Sequence, residues 1–231
     1  MATAKGRDTV SNQVFVGLPW KNVKHKYESI TDRLRIKYPL FFKIIGREEK
    51  QDAKDLLEAI KTGIQNSSYA IFDATDGNAN VSLEFGFAEA VDVPKVLYLS
   101  TYKSVQQRKD QPIISDLAGK TRHHYATEKS LAKLLRSFSE THPYTKLFEK
   151  SFRSEFGGCS KGEKKRARAL ALKVIHSLDD KEEVRRDDVV QVLLADQSDY
   201  KETEIDKMIR TLHAKGLIVS QRGRYSRLWV K

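Results

Sequence analysis

Over its first 140 residues the chain alternates short apolar runs with amphipathic stretches, and that alternation restricts the fold more than any other feature. QVFVG (13–17), FFKII (41–45), YAIFD (69–73) and KVLYLS (95–100) are apolar runs of strand length, bounded by Gly17, Pro19, Gly46 and Pro94. TRHHY (121–125) supplies a fifth strand. Between them the period is helical. Tyr27, Ile30 and Leu34 share one stripe, Leu56, Leu57, Ile60 and Ile64 a second, and Leu131, Leu134, Leu135 and Phe138 a third. NVSLEFGFAEAV (80–91) reads as a further helix. Strands separated by helices of this length pair in parallel through right-handed crossovers. The expected fold is α/β, with an open parallel sheet of the flavodoxin-like or Rossmann-like type.

The pattern breaks from about 141 to 163, where Pro143, the pair Gly157-Gly158 and KGEKK mark a connector with room for one short helix. Beyond it the period stays helical. ARALALKVIHSL (167–178), DDVVQVLLAD (187–196) and ETEIDKMIRTLHAKG (202–216) read as three helices, the last stopped by Gly216. LIVSQRGRYSRLWVK closes the chain as two short strands around a turn containing Gly223. Three helices followed by a hairpin predict a smaller winged helix-turn-helix domain over 164–231, after an α/β domain over 1–140.

A net charge of +11, spread over both halves, is compatible with nucleic acid, anionic nucleotides or acidic partners. No run of about 18 apolar residues occurs and the polar start has no signal-peptide core, so the expectation is a cytoplasmic protein without a membrane partner. Cys159 is the single cysteine, away from any histidine or acid cluster, and reads as a bystander thiol. His123 and His124 are adjacent on a strand and point to opposite faces, which rules out joint ligation of one metal from there. No zinc spacing, phosphate-binding G-x-x-x-x-G-K loop or G-x-S-x-G elbow is present.

The chemistry of the first domain centres on Glu84. In an open parallel sheet, ligands sit beyond the carboxyl ends of the strands, where strand order reverses. Asp73 lies at one such end, Gly17-Leu18-Pro19-Trp20 at another, and Ser100-Thr101 at a third. On a helical wheel of residues 81–91, Val81, Phe87, Ala88 and Val91 fall on the side of Glu84. An isolated carboxylate on an apolar face needs a partner or a purpose. Its side chain leans toward the helix N-terminus, and so toward the strand ends. A structural reading stands beside this one, because the macrodipole favours an acid near a helix start. A capping box from Asn80, however, would want the acid at 83, where Leu83 stands.

NANVSLEFGFAEA resembles the N-x-N-V-x-x-E-L-G-x-A signature of the nucleoside 2-deoxyribosyltransferase-like and TIR-like superfamily. YAIFDAT is similar to that family's strand ending in an acid plus Thr, here Asp73 and Thr75. VFVGLPW resembles its first strand and phosphate-side loop, and PIISDLAGKTRHHY its D-L-x-G segment with a strand ending in Tyr. The likeness covers about residues 13–138 in four ordered segments. It implies that Glu84 attacks or stabilises the anomeric carbon of a ribose, and that Asp73 orients the sugar hydroxyls or the leaving base. It also implies a ligand loop of Gly17, Leu18, Pro19 and Trp20, with Thr75, Asn80 and Ser100 as further ligand residues and capping as the stronger role for Asn80. Phe85 replaces the usual Leu, Ala79 a common Pro, and Ser82-Leu83 stand where an aromatic often precedes the Glu.

Three functions follow. The first is an N-glycosidase or transferase acting on NAD, a nucleoside or a nucleotide, with no cofactor required beyond that ligand. The second is a nucleotide sensor controlling the winged helix. The third is a TIR-like effector, as in antiviral defence. A homo-oligomer is the expected assembly. Lys215, Arg222, Arg224 and Arg227 would carry the winged helix's contact with DNA or with a protein partner, two alternatives the sequence leaves open.

Overall fold

The computed structural model describes residues 9–21, 23–45, 53–101, 121–181, 183–195, 200–221, 224–227 and 229–230. Residues 112–120 of the D-L-x-G segment, Arg222 and Gly223 lie outside them. The five expected strands form one parallel sheet: β1 (Thr9–Gly17), β2 (Phe41–Lys43), β3 (Ser67–Asp73), β4 (Lys95–Ser100) and β5 (Arg122–Tyr125), in the order β2-β1-β3-β4-β5. This is the flavodoxin-like doubly wound order, and it reverses between β1 and β3.

Alternation along the strands sorts the core onto two faces. Val14, Val16, Ile71 and Tyr98 pack with Tyr27, Ile30 and Leu34 of α1 (Lys24–Arg35) and with Leu131 and Leu135 of α4 (Glu128–Thr141). Phe15, Ala70, Phe72 and Leu97 pack with Ile64 of α2 (Ala53–Gln65) and with Val81, Phe85 and Ala88 of α3 (Ala79–Ala90). Burying an aliphatic or phenyl side chain of this size contributes about 1.5–3 kcal/mol.

Strand β1 starts four residues earlier than the apolar run, because Val10 and the polar Asn12 are also buried. Asn12 Nδ2 donates to the Pro39 carbonyl (3.2 Å), and Gln13 Nε2 donates to Ser67 Oγ (3.1 Å). These bonds offset part of the desolvation cost of burying the amides, although Asn12 Oδ1 and Ser11 Oγ are buried without a hydrogen-bond partner.

The stretch expected to be a connector carries a full helix, α5 (Pro143–Phe156), with Pro143 in its first turn and His142 as its cap. His142 Nδ1 accepts the Tyr144 N–H (3.2 Å), so the ring's proton sits on Nε2, which faces Ser68 Oγ at 3.3 Å. Burial pushes the imidazole down from 6.5 to about 4. A histidine held neutral in the folded state contributes stability that is full above 6.5 and is lost as pH falls through about 4. The expected difference is about 3 kcal/mol at most. Denaturant melts of native protein and His142→Asn between these pH values should diverge accordingly.

After α5 come α6 (Lys161–His176), β6 (Val184–Arg185), α7 (Arg186–Ala195), α8 (Glu202–Ala214), β7 (Ile218–Gln221), β8 (Arg224–Arg227) and β9 (Trp229–Val230). Strands β6, β8 and β7 form an antiparallel sheet in that order. The three helices share a core of Leu170, Val174, Ile175, Val189, Leu193, Ile205, Ile209 and Leu212. This C-terminal part is joined to the main sheet. β9 pairs antiparallel with β1 at Thr9 and Val10, Tyr144 Oη donates to the Leu217 carbonyl (2.6 Å), and Arg35 pairs with Asp179 (2.9 Å). No helix among the described residues is long and apolar enough to cross a membrane.

Candidate functional site

The site forms where β1 and β3 end. Gly17, the last residue of β1, is the register partner of Phe72, the next-to-last residue of β3. From Asp73 the chain turns through Thr75–Gly77, with Asp76 and Gly77 in the left-handed region (φ 67° and 58°), and enters α3. Asn78 caps that helix. Its Oδ1 accepts from the N–H groups of Asn80 (2.9 Å) and Val81 (3.3 Å). The expectation that Asn80 is the cap is therefore corrected by two positions, and the Asn80 side chain is exposed.

The buried stripe of α3 is Val81, Phe85 and Ala88, with Phe85 edge-on to Phe72 (5.5 Å). The wheel centred the stripe on Glu84 and left out Phe85, whereas Val81 and Ala88 are buried as expected and Phe87 and Val91 pack half-buried against the same core. Glu84 lies at the edge of this stripe, and its side chain reaches Gly17, as the backward lean of helical side chains implies. A methyl group added to Gly17 would overlap Glu84 Oε2 and lie 2.6 Å from Phe72 Cδ1. Absence of a side chain at 17 is what admits the carboxyl there.

Glu84 Oε2 is buried and has no hydrogen-bond partner. Burial raises the carboxyl from 4.5 to about 7. Gly17→Ala should destabilise the protein by about 1–3 kcal/mol through overpacking and displace the Glu84 carboxyl. A calorimetric melt together with ligand titration checks both effects.

Asp73 is placed differently. Alternation turns it to the opposite face of the sheet from Phe72, and it is fully buried. Its Oδ2 accepts from Tyr27 Oη (2.8 Å) and Tyr125 Oη (2.6 Å), and its Oδ1 from the Thr75 N–H (2.9 Å). Burial raises its pKa, while hydrogen bonds from Thr75, Tyr125 and Tyr27 oppose the rise. The carboxylate thus binds α1 and β5 to the end of β3. Thr75 Oγ1 in turn accepts the Ser100 N–H (2.9 Å), which brings in the end of β4. The ends of β3, β4 and β5 are fixed as one unit.

Leu18 and Pro19 are buried, whereas Trp20 is half exposed with the Lys24 ammonium 5.1 Å from its ring centre. Sequence reasoning passed over Tyr27 as an acid's partner. Its place in the apolar stripe hides the hydroxyl, and only the facing Asp73 explains a tyrosine there.

The C-terminal contact residues fare unevenly. Arg227 is buried, donates from Nη1 to Gln13 Oε1 (2.8 Å) and lies over the Phe41 ring (5.5 Å). As a surface contact for DNA or a partner it is corrected, because strand alternation turns it inward against β1 and β2. Arg224 is exposed but pairs with Glu183 (3.3 Å), and Lys215 pairs with Glu155 (3.1 Å). His123 and His124 are both exposed, and among the described residues no group of acids, histidines and cysteines could hold a metal. No protein-family model matches the chain, and no curated protein matches it.

Proposed function

We propose that the protein cleaves or exchanges the N-glycosidic bond of a nucleotide-type ligand (NAD, a nucleoside or a nucleotide), with Glu84 meeting the anomeric carbon. The observation that carries this reading is the buried, unpartnered Glu84 Oε2 beside Gly17, where an open sheet of this order binds its ligands. An uncompensated carboxyl costs folding free energy, and at a strand-order reversal a ligand is the natural compensation.

A carboxyl near 7 is half ionised at neutral pH. As the C1′–N bond breaks, its electron pair leaves with the base and positive charge grows on the ribose. That charge favours the ionised Glu84, which stabilises it or bonds to C1′. Water or an acceptor base then takes the sugar. Asp73 is a positioning residue, since both its oxygens are committed to the protein. Gly17 leaves room for the Glu84 carboxyl, and the half-exposed Trp20 offers a face for a base.

A second reading is a sensor. The order helix, strand, two helices and hairpin, with sheet order β6-β8-β7, supports a winged helix-turn-helix. Arg227 and β9 both reach strand β1, which ends at Gly17. Ligand at Gly17 then acts on that module through one strand.

The test is incubation with NAD, NADP, nucleosides and deoxynucleotides, with and without nucleic acid, followed by chromatography for free base. Release by native protein and none by Glu84→Gln supports the enzyme. Tight binding with no release under any condition removes it in favour of the sensor.

A further inference from the structure

The seam between the sheet-bearing part and the C-terminal part is polar where α6 ends against the end of α1. Two residues there reach each other's backbone carbonyl. Arg35 Nη2 donates to the His176 carbonyl (3.1 Å), and His176 Nε2 faces the Arg35 carbonyl at 3.0 Å and the Tyr38 carbonyl at 3.1 Å. Asp179 joins the two side chains, with its Oδ2 2.9 Å from Arg35 Nη2 and 2.7 Å from His176 Nδ1. The next residue, Asp180, has a left-handed backbone (φ 56°) and pairs with Lys43 of β2. The turn after α6 therefore clasps both α1 and β2.

The polar atoms around the His176 ring are all acceptors. A carbonyl has no proton to give, and the Asp179 carboxylate is already paired with Arg35. A neutral imidazole carries one N–H and one lone pair, so either tautomer sets its lone pair against an oxygen. Only the doubly protonated ring donates on both sides. The end of α1 adds to this preference, because the last carbonyls of a helix favour a nearby cation. Little water reaches the clasp: the side chain of His176 is 10% exposed and that of Asp179 4%, with Asp179 Oδ1 buried and unpartnered. The other charged and titratable groups at the clasp are Lys43 beside Asp180, and Arg227 and Tyr144, which lie close enough to Asp179 to feel its charge. Imidazole is the side chain whose charge ordinarily changes between about pH 5 and 8, and His176 supplies it here.

We propose that Arg35, His176 and Asp179 form a proton-operated latch between the sheet-bearing part and the C-terminal helices, closed while the His176 ring is doubly protonated and loosened when the ring gives one proton to solvent. A closed state that holds the proton more tightly is favoured at low pH and fades as pH rises. The bond from Arg227 to Gln13 and the pairing of β9 with β1 involve no imidazole, so the seam loosens without coming apart. The latch rests on no part of the Glu84 reading.

Hydrogen exchange of the full chain, read by mass spectrometry and corrected for the intrinsic pH dependence of amide exchange, tests it at about pH 5.5 and about pH 8. Peptides covering 31–38 and 170–178 should exchange at least about fivefold faster at the higher pH in the native protein. His176→Gln, which takes up no charge, should exchange at the faster rate at both values. His176→Lys, with its fixed charge, should exchange at the slower rate at both. Glu84→Gln and His142→Asn should keep the native step, which separates the latch from those two buried groups. Circular dichroism checks that each variant folds, and the native protein needs no variant to be decisive. Absence of the step in the native protein would overturn the proposal, and so would a step of native size in His176→Gln.

Discussion

Glu84→Gln is expected to lower base release by at least about 10³-fold, equivalent to about 4 kcal/mol of transition-state stabilisation, with ligand affinity little changed. Glutamine keeps the shape and loses the charge that, on the proposed reading, meets the developing oxocarbenium centre. The same substitution should change stability in a pH-dependent way. A carboxyl raised from 4.5 to about 7 contributes stability that is full below 4.5 and is lost as pH rises through about 7. Above 7 the native protein therefore carries a burden of up to about 3 kcal/mol that the glutamine variant lacks. Urea melts at acid and alkaline pH should show the variant gaining on the native protein as pH rises. A buried carboxyl that destabilises its own fold near neutral pH is the pattern expected of a functional site.

Asp73→Ala should be the most damaging single change to the fold. It removes the acceptor of Tyr27 Oη, Tyr125 Oη and the Thr75 N–H together, and all four residues are buried. Leaving donors unsatisfied costs about 1–3 kcal/mol each, and some of the loss is recovered by relaxation, so about 3–5 kcal/mol is expected. For a chain of this size that lowers Tm by about 10 °C or more. Asp73→Asn keeps an acceptor oxygen and should lose less. A smaller loss for Asn than for Ala identifies Asp73 as a structural anchor of the strand ends. Equal stability of all three proteins would contradict the network.

How much of this was legible in the sequence depends on which physical signal each residue carries. Strand β4, Lys95–Ser100, matches its apolar run residue for residue, and the other parallel strands differ from theirs only at the ends. Apolar periodicity is the signal there, and burial is what the strands need. Polar residues that fold inward defeat the same reasoning. Ser11 and Asn12 lie before the apolar run 13–17 and yet belong to β1, because the partner of Asn12, the Pro39 carbonyl, comes from a distant part of the chain. Helix α6 begins at Lys161, six residues before the apolar pattern. Ser160 and Glu163 form a reciprocal cap that was present in the sequence as S-x-x-E.

At the site, Glu84 was visible as an acid among apolar neighbours, and so was the loop from Gly17. The separation of Glu84 and Asp73 onto opposite faces was not. It follows from the parity of Phe72 and Asp73 in β3, which becomes meaningful only once Phe72 is seen against Phe85 and Asp73 against Tyr27. Arg227 failed for a related reason. A basic hairpin reads as a solvent-facing surface, but every second residue of a strand turns the other way, and β1 supplies Gln13 to receive the guanidinium.

The central claim is that Glu84 holds a carboxyl at the end of β1 whose Oε2 is buried without a hydrogen-bond partner. Carbon-detected NMR of the side-chain carboxyl, assigned by comparison with Glu84→Gln, measures it directly. The expected result is titration at about 7, moving downward when a ligand with a positively charged sugar mimic binds. Titration near 4.5, unchanged by any such ligand, would contradict the account.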